Sequence, residues 1–250
     1  MIRRLLGVSA LALLGAATLP AATIGVFTVN SGGYAATASF DLTGTTLTLT
    51  LTNTASVSVP SDVLTGLFFD IAGNPALTAF NAAMGGSSQL SNGTNPPLNI
   101  TAPPTGSLTG GWQYLFNSSS LAGTTQEYGV GTAGFGIFNG NQVNTGGQGG
   151  NFDYGLANSK LNPNTPVAAA LLIFNTAVFQ WTVPTGTTGL SISNVRFQYG
   201  TALNEKSFGC VSATSGCIPS DDGGDVPEPS TMGLLGLGLV GLGALARRKR

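Results

Sequence analysis

Between residues 23 and 226 the apolar positions come in short runs with a period of two, separated by Gly, Pro, Asn and Ser. The clearest run is 45–52, where Leu47, Leu49 and Leu51 alternate with threonines. One face is then leucine and the other threonine, as in a half-buried antiparallel strand. Residues 38–42 pair with it across a Thr43-Gly44 turn. Residues 66–71, 112–117, 133–138, 169–183 and 190–199 are predicted as further strands. The Asn74-Pro75 pair is a helix-start signal and predicts a short helix over 76–84. Residues 85–111 and 140–150 read as loops, because Pro, Gly, Asn and Ser dominate them. No amphipathic helix of convincing length and no repeat of 20–50 residues is present. The fold class is therefore all-β: an antiparallel β-sandwich, jelly-roll-like, filling 23–220.

Two apolar segments break this pattern, one at each end. Arg3 and Arg4 precede an apolar run over 5–17, and small residues follow around Ala21 and Ala22. That order predicts a signal peptide over 1–22. At the other end, residues 221–231 form an acidic linker containing Pro227, Glu228 and Pro229. Residues 232–246 are uncharged, and the chain ends in Arg247, Arg248, Lys249 and Arg250. Such a helix rises about 22 Å. It spans a bilayer of ~30 Å once flanking residues join it and the long basic side chains reach for the headgroups. Residues 232–246 are thus predicted as a transmembrane helix and 247–250 as a cytoplasmic tail that stops transfer.

This tripartite end resembles the PEP-CTERM sorting signal of Gram-negative bacteria. The resemblance rests on Pro227-Glu228-Pro229, the apolar residues 233–246 and the basic residues 247–250. It implies export across the inner membrane, anchoring by the helix, and recognition by an exosortase-type processing enzyme. The end point is the cell surface or the extracellular space. Residues 64–75 and 190–203 also look like segments of exosortase-dependent surface proteins, and no activity is implied by them.

Composition narrows the chemistry. Six of the nine basic residues lie at the two ends, and between 22 and 226 three bases face nine acids, a net charge of −6. No basic face exists to neutralise phosphates, so nucleic acid is not a partner. The chain has no His, which removes the commonest general base and metal ligand. No cofactor and no metal site is expected. The sequence Gly236-Leu237-Gly238-Leu239-Val240-Gly241 fits a dinucleotide pattern. No strand precedes it and only nine residues follow, so it cannot build the βαβ unit that the pattern needs.

Four groups of residues remain. Cys210 and Cys217, in an exported chain, predict a disulfide closing a small loop. Asp70 and Asp153 are flanked by apolar residues, and a hydrolase would need both in one cleft. Asp221, Asp222 and Asp225 lack the ligand spacing of a calcium loop and read as a solvated linker. Trp112, Tyr114 and Phe116 fall on one strand face, and Trp181 and Tyr199 add to the aromatics. Core packing is their default, and sugar stacking would need them exposed. The threonines 46, 48, 50 and 52 form a single ladder, which alone is not a water-ordering array. The sequence therefore predicts a non-enzymatic exported protein with no catalytic residues. Its role lies in the envelope or the extracellular polysaccharide matrix. The alternatives are a carbohydrate-binding or adhesive module, with polysaccharide as partner, and a carboxylate-dependent hydrolase.

Overall fold

The computed structural model describes residues 21–86, 88–92, 111–138, 153–161, 164–213 and 216–220. Among these residues the chain forms β1 (Ala22–Ser31), β2 (Tyr34–Thr43), β3 (Thr46–Asn53), β4 (Ser56–Val57), β5 (Leu64–Ile71), β6 (Thr78–Met84) and β7 (Gln89–Asn92). Next come β8 (Gln113–Phe116), β9 (Tyr128–Gly131), β10 (Leu156–Ala157) and β11 (Ser159–Lys160). The last strands are β12 (Leu171–Phe174), β13 (Thr176–Thr182), β14 (Ile192–Tyr199), β15 (Ser207–Cys210) and β16 (Ile218–Pro219). A 3-10 turn lies at Pro60–Asp62, and a five-residue helix, α1, at Thr165–Ala169.

The first sheet has the order β1-β2-β3-β13-β6 and is antiparallel throughout. Its inner face follows from the alternation read in the sequence. Leu47, Leu49 and Leu51 are fully buried, and the threonines between them point outward. Register places Leu51 between Ala38 and Ala177, and Leu49 between Phe40 and Phe179. The second sheet runs β16-β15-β14-β5. On its far side β5 takes β9, which carries β8, and at Leu64 it meets β10, followed by β12 and β7.

The two sheets close on one apolar core. Phe40 of the first sheet meets Phe69 of the second with ring centroids 5.0 Å apart. Phe69 also meets Trp181 at 6.2 Å, and Tyr34 meets Tyr199 at 4.7 Å. A layer of connections covers the outer face of the second sheet. Phe68 packs there on Leu121, Ala133, Phe135 and Phe138. Val57, Val63, Val167, Leu172 and Phe174 form a separate cluster around α1. β5 is therefore buried on both faces, which is why it reads as a continuous apolar run instead of an alternation. Glycines 129 and 131 in β9 make room for this layer. A Cβ at Gly129 would meet Phe68 at 2.7 Å, and one at Gly131 would meet Phe138 at 2.7 Å.

The fold departs from the sequence reading in four places. First, the strand order is not jelly-roll-like. β1, β2 and β3 stay in one sheet as an up-and-down meander, and β14, β15 and β16 do so in the other. Two-residue connections such as Gly32-Gly33, both at positive φ, can only join neighbours within a sheet. Second, residues 76–84 are the edge strand β6 and not a helix. Pairing with β13, and Phe80 packing on Trp181 at 5.7 Å, override the helix preference of the alanines. Third, residues 133–138 form a turn. Phe135 has a φ of 50°, and the amides of Ile137 and Phe138 both donate to the Gly134 carbonyl. Fourth, residues 169–183 do not make one strand. Asn175, with a φ of 86°, divides them into β12 in the second sheet and β13 in the first.

Candidate functional site

The aromatic stripe is spent on the core. Trp112 is fully buried against Phe179 at 4.9 Å, and its indole donates to the Tyr154 carbonyl at 3.0 Å. Tyr114 lies 5.5 Å from Trp181 and 5.7 Å from Phe80, and Phe116 stacks on Tyr128 at 4.6 Å. Burial raises the phenol pKa values of Tyr114, Tyr128 and Tyr199. Trp112 is closed off, while Tyr114 and Phe116 are half-buried, with their rings against Phe80, Trp181 and Tyr128.

The two aspartates stand at opposite ends of β5. Asp70 lies near the strand's C-terminal end. It accepts from the Glu127 amide and from the Asn194 side chain, each at 2.8 Å. Gln126 in turn donates to Asn194 at 3.0 Å. Asp153 lies beside the other end, because Thr132 bridges its carbonyl to Thr65 of β5. Five residues of strand separate Thr65 from Asp70, roughly 16 Å. The structure therefore does not bring the carboxyls into one cleft, and the hydrolase alternative loses its pair.

Asp153 instead belongs to a site with Lys160, a residue that the sequence did not single out. Lys160 is 1 % exposed. Its ammonium donates to the Ala170 carbonyl at 2.7 Å and to the Ala168 carbonyl at 3.4 Å, at the C-terminal end of α1. Asp153 accepts from the Leu171 amide at 2.9 Å. The peptide unit joining Ala170 to Leu171 is thus held at its carbonyl by a cation and at its N–H by an anion. Burial pushes the Lys160 pKa down to about 8, against the attraction of Asp153. Burial also raises the Asp153 pKa, opposed by the Leu171 amide and Lys160. The arrangement fixes the link between α1 and β12. Nothing in the segment Asn158-Ser159-Lys160-Leu161 signals such burial, because its partners are backbone groups.

The remaining features are structural. Cys210 and Cys217 are joined in a disulfide with Cα atoms 4.3 Å apart, closing the hairpin of β15 and β16. A cavity of about 230 Å³ is lined by Gly32, Gly33, Tyr34, Ala55, Ser56 and Asp62. Its polar groups are engaged with the protein. The Asp62 carboxylate accepts from the Ser58 and Val59 amides, and Ser56 pairs with Ser159 at 2.8 Å. The threonine ladder of β3 is wider than the sequence showed. Thr28, Thr37, Thr52 and Thr176 stand in register on four adjacent strands, on the outer face of the first sheet. Thr52 and Thr176 share a hydrogen bond of 3.0 Å. Among the described residues no group of three or more His, Cys, Asp or Glu is placed to hold a metal ion.

Pro227, Glu228, Pro229 and Arg247, Arg248, Lys249 and Arg250 lie outside the described residues, as do Asp221, Asp222 and Asp225, the segment 232–246 and residues 1–20. Among the described residues no helix is long and apolar enough to cross a membrane. A β-rich domain followed by a terminal sorting segment defines a surface-sorted protein. Residues 225–250 match the family described as PEP-CTERM protein-sorting motif. The chain is therefore an exported protein, sorted through recognition of that motif by an exosortase. No curated protein and no solved structure matches the chain.

Proposed function

We propose that this chain is a non-enzymatic structural protein of the cell envelope or the extracellular polysaccharide matrix. It is delivered by a signal peptide over 1–22, held by a transmembrane helix over 232–246, and cleaved near Pro227-Glu228-Pro229. The observation that carries the reading is the sorting motif at 225–250, joined to a domain whose aromatic rings and carboxylates are engaged in packing and hydrogen bonding. The two prolines remove amide donors, so the motif is a poor continuation of any helix that follows it. Glu228 is its one charge and the natural contact for the processing enzyme.

Replacing Pro227-Glu228-Pro229 by three alanines is expected to leave export intact and block release, so that the uncleaved form accumulates in the inner membrane. Deleting 247–250 is expected to let the tail slip through instead. Immunoblots of membrane and released fractions from the native host check both. Unchanged processing of the triple-alanine variant would make the chain an ordinary anchored protein.

A further inference from the structure

β1 is an edge strand of ten residues, and among the described residues no other segment pairs with its outer side. Proteins normally blunt such an edge with a charge, a proline, a short strand or a cover. From Gly25 to Ser31 β1 carries no charge and no proline, and its one register shift lies before Gly25. Val26, on its outer face, is 41 % exposed. The Gly32-Gly33 connection makes Ser31 and Tyr34 the closing, hydrogen-bonded pair of the hairpin. Every second residue back from there bonds to β2. Val26, Thr28 and Asn30 then turn their N–H and C=O groups to the open side.

We propose that β1 pairs antiparallel with β1 of a second copy of this chain, about a two-fold axis at Thr28. Thr28 then faces Thr28 of the other copy, and Val26 faces Asn30. All three open N–H groups and all three open C=O groups of each strand find partners. The register also continues the outer threonine row. Thr176, Thr52, Thr37 and Thr28 of one copy run straight into the same four residues of the other. Charge does not oppose the pairing: the first sheet's one charged side chain, Asp41, stands opposite Thr23, so the two-fold sends the two Asp41 side chains to opposite ends.

The test uses the full chain in detergent. Thr28→Cys introduces a lone thiol, because the chain's two cysteines are joined to each other. A hydrogen-bonded antiparallel pair places facing Cα atoms ~5.5 Å apart, within disulfide reach. Mild oxidation should cross-link Thr28→Cys into dimers. Thr37→Cys, one strand further in, should cross-link at least tenfold less. Sedimentation should show self-association of the unmodified chain and at least a tenfold weakening in Thr28→Lys, where two cations would face each other. Near-ultraviolet circular dichroism should show Thr28→Lys still folded. A monomer at tens of micromolar, equal cross-linking of the two cysteine variants, or association that survives Thr28→Lys would each overturn the proposal.

Discussion

At the scale of single residues, Lys160 makes the sharpest prediction. Its pKa falls from the ordinary lysine value to about 8 on folding. Between pH 8 and 10 the unfolded chain therefore binds more protons than the folded one, and stability rises with pH. Above pH 10 the buried tyrosines reverse the trend, because their raised pKa values leave the folded state holding protons that the unfolded state has lost. Urea unfolding is expected to show a gain on the order of 1–2 kcal/mol from pH 7.5 to 9.5. Lys160→Met is expected to abolish that gain. The disulfide closes a loop with a sequence separation of 7, and the chain-entropy estimate for so short a loop is roughly 2–3 kcal/mol. Cys210→Ser with Cys217→Ser should lower stability by that amount in thermal melts. The cysteine pair was legible in the sequence, since only two cysteines exist in an exported chain. Lys160 was not, because its burial depends on carbonyls that the fold brings to it.

At the scale of elements, Asn175 shows where local pattern stops informing. Residues 171–182 alternate and run apolar as one strand would. Yet the Asn175 amide donates to Ala157 in the second sheet, and its carbonyl accepts from Asn53 in the first. One residue thereby belongs to both sheets, at a φ of 86° that few side chains tolerate. Asn175→Val is expected to cost ~1–2 kcal/mol, and Asn175→Gly no measurable amount, as read from urea midpoints. The leucine–threonine alternation of β3 was legible because one face is buried and the other wet. β5 was found as a strand, but its second buried face was not, since that depends on Phe135 and Phe138 folding back from a distant turn. The edge strand β6 was misread as a helix because its partner β13 lies about a hundred residues away.

At the scale of the whole molecule, the all-β class and the sorting segment could both be read in the sequence, and the connection order could not. Alternation tells which face is buried but not which strand lies next to which. The sorting motif places the β domain beyond the inner membrane. Protease added to spheroplasts of cells holding the triple-alanine variant is expected to digest the domain, with intact cells protecting it. A domain that survives in spheroplasts would mean the opposite orientation.

The long connections between the sheets also set a timetable for folding during export. Thr52 bonds to Thr176, and Asp70 to Asn194, each across 124 residues of chain. A chain that crosses the membrane from its N-terminus first delivers the meander of β1, β2 and β3, with Leu47, Leu49 and Leu51 bare. β13 and β14 emerge long afterwards, and each lands inside its sheet, between two other strands. Contacts this far apart in sequence form slowly, because a long loop must close before they reward it. The domain therefore cannot lock while it is still threading and jam its own passage. Its second sheet is complete only when β15 and β16, which end at Pro219, are through. If the anchor and cleavage proposed above hold, closure of the domain comes before arrest of the tail.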